Sequence, residues 1–335
     1  MFIHLHTLST YSFLRGLISP QALVEAAVQD GMPALALTDH HGLTGAVEFY
    51  IDCYSKGVQP ILGLSVNLAP PAELPSALPG TLVVLAMEFS GWRSLCRLSS
   101  SLNGDDDRLS FEKLAQETSG LICLSGGTTS TLNSLMAARQ PQFAGQWIGM
   151  LAELFPERLY IELNHHNVED DELNTNLTML AHRTHLPVVA AHQVHYQTSN
   201  QWELQRVVSA IRTIRTLSEL PSQAAAPSQA YFTTQEEMLV RFSRFPAALE
   251  STLEIASRCQ PALPVGIPHY PEIPLPAGQT ALDVLQQKAQ AGAMNIYHHI
   301  TPEVQTRLEH ELEVIGQCGY APLFLIVEEI LNYAR

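Results

Sequence analysis

The sequence predicts an α/β fold, more specifically a distorted barrel of the TIM type, and three observations support this prediction. Apolar runs of roughly four to seven residues alternate with amphipathic stretches of roughly 10 to 16 residues, a pattern typical of strands and helices in a parallel sheet. Roughly six or seven such units follow one another, which fits a barrel. Polar residues follow several of the strands, at the end where barrels of this class carry their chemistry.

The first third of the chain contains the clearest local signals. Ser19 and Pro20 are typical of the N-cap and first turn of a helix, and Gly31 is typical of its end. A proline-rich loop, APPAELPSALPG, separates the second strand from the third. We expect strands over 34–38, 60–67 and 81–87, with helices over 43–56 and 91–102.

The same alternation continues to about residue 215 and then changes character. We expect strands over 121–124, 159–163 and 187–191. We expect helices over 110–118, 170–185 and 198–215, and two helical stretches within 128–155. The segment 218–230, SELPSQAAAPSQA, has the composition of a loop with little regular structure.

The last part of the chain is expected to be helical. Helices are predicted over 234–243, 246–259, 279–294, 301–317 and 322–334. The stretch between them is rich in proline, which is typical of an extended linker. The expected organisation is a barrel domain with its C-terminal helices over 1–260, a linker over 261–278 and a small all-α segment over 279–335.

Composition narrows the classes of function. The chain has 335 residues, 46% of them hydrophobic, and carries 18 basic against 33 acidic residues, for a net charge of −15. This balance argues against a broad nucleic-acid surface of its own, because phosphate backbones are bound by clustered lysine and arginine. Five cysteines show no C-x-x-C spacing, and we see no signal peptide or apolar run of membrane-spanning length. We therefore expect a cytoplasmic protein with reduced thiols and no membrane association.

Two pairs of residues near the N-terminus suggest a metal site. His4 and His6 are one residue apart, so an extended strand directs both rings to one side. Asp39 and His40 follow the next predicted strand. Imidazoles and a carboxylate at strand ends are typical ligands of Zn or Mn. The alternative is that these histidines and an N-cap aspartate only satisfy backbone groups.

Further histidines follow two later strands. His166 follows the strand YIEL, in which alternation allows Glu162 to point into the barrel, although a polar loop with exposed histidines is the alternative. In AHQVHY we favour His195 over His192 as a site residue. Ser125-Gly126-Gly127 could offer backbone amides at the barrel mouth, but tight turns use the same residues.

Taken together, these motifs resemble the polymerase-and-histidinol-phosphatase (PHP) domain at the start of bacterial DNA polymerase III alpha subunits. The resemblance covers essentially the whole chain in family order, and YSFLRG (11–16) and LAELFPERLYIEL (151–163) are closest to the error-prone alpha-type branch. The other motifs are H-x-H (4–6), ALALTDHHGLTGAVEFY (34–50), PILG (60–63), LVVLAMEFSGWRSLCRLSS (82–100), GLICLSGG (120–127), LPVVAAHQVHY (186–196) and GYAPLFLIVEEIL (319–331).

The resemblance implies a (β/α)7 PHP barrel that holds up to three metal ions and precedes a polymerase core. Residues matching family metal ligands, or in the case of His166 a histidine beside the site, are His4, His6, Asp39, His40, His166 and His195. It implies Zn or Mn as cofactor, DNA bound through the polymerase core, and partners among replisome or lesion-bypass subunits. The family's activity is that of a DNA-directed DNA polymerase, a nucleotidyltransferase.

Four positions depart from the family pattern, which has ligands there. Ser65 stands where the family has Glu, Thr81 where it commonly has His, Gly127 where it commonly has Cys, and Gln193 where it commonly has Asp. Two carboxylates and one thiolate are thereby lost from a site for two or three dications. Because hydrolysis by such sites needs a bridged pair of ions, we expect at most about one ion and weak or absent phosphoesterase activity.

The resemblance also implies that the chain ends before the family's polymerase palm and its catalytic aspartates, so we expect no nucleotidyl transfer from this chain by itself. Three functional readings follow. The chain is a scaffolding PHP module of an alpha-type polymerase, or an active metal-dependent 3′–5′ exonuclease or phosphoesterase, or a stand-alone PHP phosphatase acting on a small ester.

Overall fold

The computed structural model describes residues 1–74, 77–102, 108–267 and 271–334. The chain divides into two compact units, Met1–Leu263 and Pro264–Arg335. The boundary falls inside the proline-rich stretch 261–278, of which residues 268–270 lie outside the described ranges.

The first unit is built on one curled sheet, a distorted barrel of the TIM type. Within the described residues its strands are β1 (Ala34–Leu37), β2 (Gln59–Ala69), β3 (Gly80–Ala86), β4 (Leu109–Ser110), β5 (Leu121–Leu124), β6 (Leu159–Asn164) and β7 (Val188–Ala191). The strands lie in the order β1-β2-β3-β5-β6-β7, with the short β4 paired to β2. The β1–β2, β5–β6 and β6–β7 pairs are parallel.

The expectation of an all-parallel sheet is wrong for β3, which runs antiparallel to both β2 and β5. A parallel pair needs a long crossover, usually a helix, whereas only a proline-rich loop joins β2 to β3. In this register Asn67 lies opposite Thr81. Thr81, at the start of β3, therefore lies at the same rim as the ends of the parallel strands.

The extended segment 4–8 closes the gap between the two edges of the sheet. On one side the amide of Ala36 in β1 donates to the carbonyl of His4 at 2.9 Å. On the other side the amide of Val194, just after β7, donates to the carbonyl of His6 at 3.1 Å, and Leu8 donates to the carbonyl of Val194 at 2.9 Å. The H-x-H motif is thus extended, as the sequence predicts.

The predicted helices are present, with ends that differ by a few residues. Ser19 caps α1, its hydroxyl accepting from the amide of Ala22 at 3.2 Å. The helices of the first unit are α1 (Pro20–Gln29), α2 (Ala46–Ser55), α3 (Phe89–Ser101), α4 (Phe111–Gln116), α5 (Thr131–Ala137), α6 (Pro141–Leu154), α7 (Asp170–Thr184), α8 (Trp202–Thr213), α9 (Gln235–Arg241) and α10 (Pro246–Arg258). Short 3-10 helices cover Ser199–Gln201 and Ser222–Ala224.

Helix α10 closes the end of the barrel opposite the rim. Its Ile255 belongs to the same buried cluster as the inward-facing strand residues Ile61 and Val83. The side-chain amide of Gln59, at the start of β2, donates to the carbonyls of Ala256 and Cys259 at 2.6 and 2.9 Å. Helix α10 therefore covers one end of the barrel, and the histidines that follow the strands lie at the opposite end, the rim.

The segment 222–227, which we name the capping segment, is tied to the barrel more firmly than its composition predicts. Trp202 Nε1 donates to the carbonyl of Ala226 at 3.2 Å, and Tyr196 Oη donates to the carbonyl of Pro227 at 2.6 Å. The amide of Ala226 donates to Gln205 Oε1 at 3.0 Å. Regular structure is scarce here, but side chains from the barrel satisfy the backbone of the segment.

In its described residues, the second unit contains three helices, α11 (Ala281–Tyr297), α12 (Pro302–Gln317) and α13 (Ala321–Ala334). Thr280 and Asp283 form a capping box at the start of α11. In the described part of the chain, no single helix is long and apolar enough to cross a membrane. The pair α12 and α13 meets the length and composition criteria together, with a bend of 111° between them.

Candidate functional site

Five buried side chains gather inside the barrel at the rim, and we name them the histidine cluster. Its members are His4, His6, Glu162, His166 and His192. The His166 and His192 rings are 4.7 Å apart between centroids, and the His4 and His192 rings 6.0 Å. These residues come from the N-terminal segment, β6 and the segments after β6 and β7.

The centre of the histidine cluster is a hydrogen-bonded pair. His6 Nδ1 lies 3.0 Å from Glu162 Oε1, and both side chains are fully buried. The same carboxylate oxygen accepts from Asn164 Nδ2 at 2.9 Å. A carboxylate beside Nδ1 favours the tautomer with its proton there, which leaves Nε2 to accept from the Ser65 hydroxyl at 3.3 Å.

Several polar atoms of the histidine cluster and its neighbour Asn164 have no partner. Buried polar atoms normally have partners, because leaving one unpaired costs about 1–3 kcal/mol. Among the described residues these unpartnered atoms are His4 Nδ1, Glu162 Oε2, Asn164 Oδ1, His166 Nδ1, His166 Nε2 and His192 Nδ1. Their concentration at one place marks this part of the rim as the candidate site.

Burial disfavours the charged form of five of the rim histidines. Burial away from water lowers the pKa of His4 and of His166 to about 4. It lowers the pKa of His195 to about 3 and that of His40 to about 2, and it lowers the pKa of His192 well below its ordinary value. Neutral imidazole is the form that accepts a hydrogen bond or binds a metal ion.

Asp39 lies outside the histidine cluster and uses both of its oxygens on a loop. Oδ1 accepts from the Ser9 amide at 2.6 Å and from the Ser12 hydroxyl at 2.5 Å, and Oδ2 accepts from the Ser9 hydroxyl at 2.7 Å. Burial raises the pKa of Asp39, while the hydrogen bonds from Ser12 and Ser9 oppose that shift. In this structure Asp39 therefore satisfies polar groups of the loop, which is the alternative to a role as metal ligand.

His40 and His195 line the wall of an open cavity at the rim. The His40 ring stacks on His41 at 3.7 Å between centroids, and its Nε2 is buried without a partner. His195 Nδ1 lies 3.3 Å from the carbonyl of Arg15. Of the six predicted ligands, His4, His6 and His166 belong to the histidine cluster, and His195 is close enough to His6 and His166 for these two imidazoles to add to the effect of burial on its pKa.

The structure adds two residues that the sequence analysis considered but did not select. Glu162 points inward, as the alternation in YIELN suggests. His192 directly follows β7, and its Nε2 lies 2.9 Å from the carbonyl of Tyr231. The neighbouring His165 is directed elsewhere, with Nε2 at 3.2 Å from Asp171 Oδ1.

The four positions that depart from the family pattern face this region, and none supplies a charge. Ser65 contacts His6, and a Cβ built on Gly127 would lie 3.3 Å from Glu162 Oε1. The hydroxyls of Thr81 and Thr129 are 2.8 Å apart at the rim cavity, which Gln193 also lines. In the described ranges, no three His, Cys, Asp or Glu side chains are arranged to hold a metal ion. The residues present therefore do not fit a site for two or three ions.

The glycine pair after β5 serves close packing. Gly126 has φ of +81°, and a Cβ there would lie 1.9 Å from the carbonyl oxygen of Thr81. Only glycine can occupy this position without displacing the start of β3. The tight turn considered in the sequence analysis is thus present.

Comparison with known families identifies the domain that this barrel forms. Residues 4–166 match the PHP domain family. The chain contains a PHP domain of the bacterial DNA polymerase III alpha type. Residues 283–335 match the family described as bacterial DNA polymerase III alpha NTPase domain.

Full-length relatives extend the match over the whole chain. The error-prone DNA polymerase of Symbiobacterium thermophilum is 31% identical over 360 residues, covering 100% of this chain and 32% of that protein. The DNA polymerase III subunit alpha of Escherichia coli K12 is 30% identical over 350 residues, covering 100% of this chain and 30% of that protein. The chain thus spans about a third of the length of these relatives.

Among solved structures, the chain is similar to a two-domain protein from Bacteroides vulgatus described as containing a predicted PHP-like metal-dependent phosphoesterase. The identity is 17% and the TM-score 0.38, over 58% of this chain and 52% of that one. Similarity at this level says nothing about the chemistry of the present chain.

Proposed function

We propose that the barrel of this PHP domain acts as a structural module of an alpha-type DNA polymerase in replication or lesion bypass, and not as a nuclease. Support comes from the family match and from the chemistry of the rim. The proposal assigns DNA and the replisome or lesion-bypass subunits as partners through the remainder of such a polymerase, and a place in the cytoplasm. The acidic composition of this chain agrees with DNA being bound elsewhere.

One observation carries the proposal: among the described residues, Asp39 and Glu162 leave the rim with too few free carboxylate oxygens to bridge two metal ions. Two-metal hydrolysis needs ions about 3.5–4 Å apart, held by shared anionic ligands. Asp39 is occupied by Ser9 and Ser12, and Glu162 uses one oxygen on His6 and Asn164. Of the oxygens of these two described carboxylates, only Glu162 Oε2 remains free.

The donor set would hold at most about one ion, of Zn or Mn, and only after its side chains move, because no three of the described His, Cys, Asp or Glu side chains are arranged to hold one as they stand. His166, His192 and Glu162 carry unpartnered nitrogen and oxygen atoms, and neutral imidazole with a carboxylate suits either ion. Such an ion would bind in place of the missing hydrogen-bond partners. It would stabilise the folded barrel, since any group that binds only the native state does so.

The test is a measurement of metal content together with nuclease activity. The purified chain is dialysed against Zn or Mn, its metal equivalents are counted by mass spectrometry, and cleavage of single-stranded DNA from the 3′ end is followed. We expect at most about one equivalent and no cleavage. Two or more equivalents together with cleavage that disappears in His6→Ala would overturn the scaffold proposal.

A repaired variant provides the matched positive control. Replacing Ser65 by Glu, Thr81 by His, Gly127 by Cys and Gln193 by Asp restores the family's ligand types at positions that face the rim. We expect more metal equivalents in this variant than in the natural sequence. Equal metal content in both proteins would mean that these four positions do not control metal binding.

The second candidate function is an active phosphoesterase, and the unpartnered atoms of the histidine cluster are the observation that favours it. The same nuclease assay decides between the two functions. A stand-alone phosphatase acting on a small ester is the third reading, and cleavage of para-nitrophenyl phosphate without cleavage of DNA would support it.

A further inference from the structure

The side of helix α8 that faces the barrel domain is polar. Gln205 and Ser209 are both buried, and Gln205 Nε2 donates to Ser209 Oγ at 3.0 Å. The amide of Ala226 in the capping segment donates to Gln205 Oε1 at 3.0 Å. Hydrogen bonds therefore attach this side of the helix to the rest of the barrel domain.

The opposite side of α8 is apolar and exposed. Ile211 is 59% exposed and Ile214, directly after the helix, is 94% exposed. A helix packed on a domain usually shows the reverse arrangement, because burial of its apolar face stabilises the fold. Exposed apolar residues recur at spacings of three, four and three, and we name them the α8 stripe: Leu204, Val207, Ile211 and Ile214.

The backbone at Ile214 is a second, independent observation. Its φ is +53° and its ψ +51°, in the left-handed region. A β-branched residue is an outlier there, and glycine is the usual residue at such a position after a helix. Isoleucine is thus unfavourable both for this conformation and for exposure to water. A contact that buries the side chain gives it a use that a single copy of the chain does not.

We propose that the α8 stripe is a self-association surface, against which helix α8 of a second copy of this chain packs in the antiparallel direction. The proposal goes beyond the scaffold function and does not depend on it. A twofold axis at the middle of the stripe places Leu204 of one copy beside Ile214 of the other, and Val207 beside Ile211. The same patch is used by both copies, as in any twofold contact.

Charge at the two ends of the α8 stripe favours this direction. Glu203 precedes the stripe, Arg215 follows it, and both residues are exposed. Antiparallel packing brings Glu203 of one copy to the same end as Arg215 of the other, and it does so at both ends. Parallel packing would bring like charges together, and it would also align the two helix dipoles. The stripe is therefore complementary to itself in one direction only.

The other two arginines of α8 are engaged within their own chain. Arg206 Nη1 lies 3.0 Å from Glu203 Oε2, and its guanidinium carbon lies 5.3 Å from the centroid of the Trp202 ring. Arg212 Nη2 donates to the carbonyl of Ala224 in the capping segment. Neither guanidinium group belongs to the α8 stripe, whose centre is formed by apolar side chains alone.

The size of the stripe and the charge of the chain limit the affinity. Helix α8 has 12 residues, and its stripe is small beside the interfaces of stable complexes, which bury about 1,200–2,000 Å². Each copy has a net charge of −15, so long-range repulsion opposes association unless salt screens it. We therefore expect a weak dimer at physiological salt, with a Kd on the order of tens of micromolar.

The test is sedimentation equilibrium of the full chain in about 0.15 M salt, where charges act over about 8 Å. The concentrations span about 1–300 µM, around the expected Kd. We expect a monomer–dimer equilibrium that Ile211→Ser weakens about tenfold or more. Ile51→Ser is the matched control, because Ile51 lies on α2, outside the stripe, and is 50% exposed. Urea midpoints show that each variant is folded.

Charge reversal tests the direction of packing. Glu203→Arg and Arg215→Glu each create like charges at both ends of an antiparallel dimer, so each variant alone should associate about threefold more weakly or worse. A mixture of the two variants forms a dimer with opposite charges at both ends, and association should recover. Single reversals that leave the Kd unchanged would contradict antiparallel packing.

Ile214→Gly separates the contact from the fold. Glycine adopts the left-handed conformation without strain, so the urea midpoint should stay the same or rise. The dimer should nevertheless weaken, because an apolar side chain of the stripe is lost. A lower midpoint together with an unchanged Kd would show that the isoleucine serves only its own chain, and would count against the proposal.

Three further results would overturn the proposal. The first is a monomeric wild type over the whole concentration range, which would leave a helix of another protein as the partner of the stripe. The second is an equal Kd in wild type and Ile211→Ser. The third is equal weakening by Ile211→Ser and Ile51→Ser. Metal content and nuclease activity do not enter these measurements, so self-association and the scaffold function can fail independently.

Discussion

Two buried carboxylates at the same rim, Asp39 after β1 and Glu162 in β6, have opposite surroundings. Asp39 accepts three hydrogen bonds from Ser9 and Ser12, so both of its oxygens are satisfied. Glu162 contacts His6 and Asn164 through one oxygen and leaves the other without a partner. Asp39, which the sequence analysis selected as a metal ligand, holds a loop in place. Glu162, which the sequence analysis did not select, faces the candidate site.

This difference shows that residue type and position in a motif do not decide a side chain's role. A carboxylate near free backbone and hydroxyl donors is captured by them, because each charge-assisted hydrogen bond contributes about 1.5–3 kcal/mol. Glu162 has imidazoles and an amide around it, which leave one oxygen for another group. The following predictions separate the two roles.

The largest effect is expected from Asp39→Ala. Removing the carboxylate leaves the Ser9 amide and the Ser9 and Ser12 hydroxyls unpaired, which we expect to lower the free energy of unfolding by about 3 kcal/mol or more. Urea unfolding followed by tryptophan fluorescence measures this, since Trp92, Trp147 and Trp202 all lie in the first unit. Asp39→Asn keeps one acceptor and should cost less. If the urea midpoint of metal-free Asp39→Ala equals that of the wild type, Asp39 does not stabilise the loop, and a role as metal ligand is the better assignment.

The second effect is a pH dependence that comes from the buried histidines. Burial lowers the pKa of His166 from 6.5 to about 4, so the unfolded chain binds a proton in this window and the folded chain does not. Stability is therefore complete above pH 6.5 and is lost as the pH falls toward 4. In His166→Asn we expect the slope of unfolding free energy against pH to be shallower by about 1.4 kcal/mol per unit.

The control for this experiment is His310→Asn, at an exposed position of α12 in the second unit. The same slope in wild type and His166→Asn, between pH 4 and 6.5, would show that His166 is solvated in the folded state. Tryptophan fluorescence again confines the measurement to the barrel.

A smaller effect on stability is expected from Glu162→Gln. Glutamine can keep an acceptor for His6 or Asn164, so the free energy of unfolding should fall by only about 1 kcal/mol. Any Zn or Mn bound by the wild type should be lost, because the one free anionic oxygen is gone. Metal content unchanged in Glu162→Gln, but abolished in Asp39→Asn, would reverse the assignment of the two carboxylates.

The smallest effect is expected from Gly127→Ala, which probes the space beside Glu162. A Cβ there would lie 3.3 Å from Glu162 Oε1, so the side chain has to shift by only a few tenths of an ångström. We expect the unfolding free energy to change by less than about 0.5 kcal/mol. Gly126→Ala is the contrast, since its Cβ would meet the Thr81 carbonyl at 1.9 Å and its φ is +81°. Equal effects of the two substitutions would contradict this description of the turn.

The sequence by itself determined where the helices and strands lie, because periodicity and capping act over a few residues. Ser19 caps α1 and the H-x-H segment is extended, as local pattern predicts. It also determined the family, through motifs spread along the whole chain. The parallel direction assumed for β3 was wrong, since the chain direction depends on the connection that precedes it.

Only the tertiary structure decided which side chains meet. His6 and Glu162 are 156 residues apart in sequence, and His6 Nδ1 lies 3.0 Å from Glu162 Oε1. Arg15 and Arg212 are also distant in sequence, yet both line one cavity. Such convergence results from closure of the barrel by the N-terminal segment, a long-range event that no local propensity encodes. For the same reason the partners of Asp39 became visible only once the loop 9–16 was folded against it.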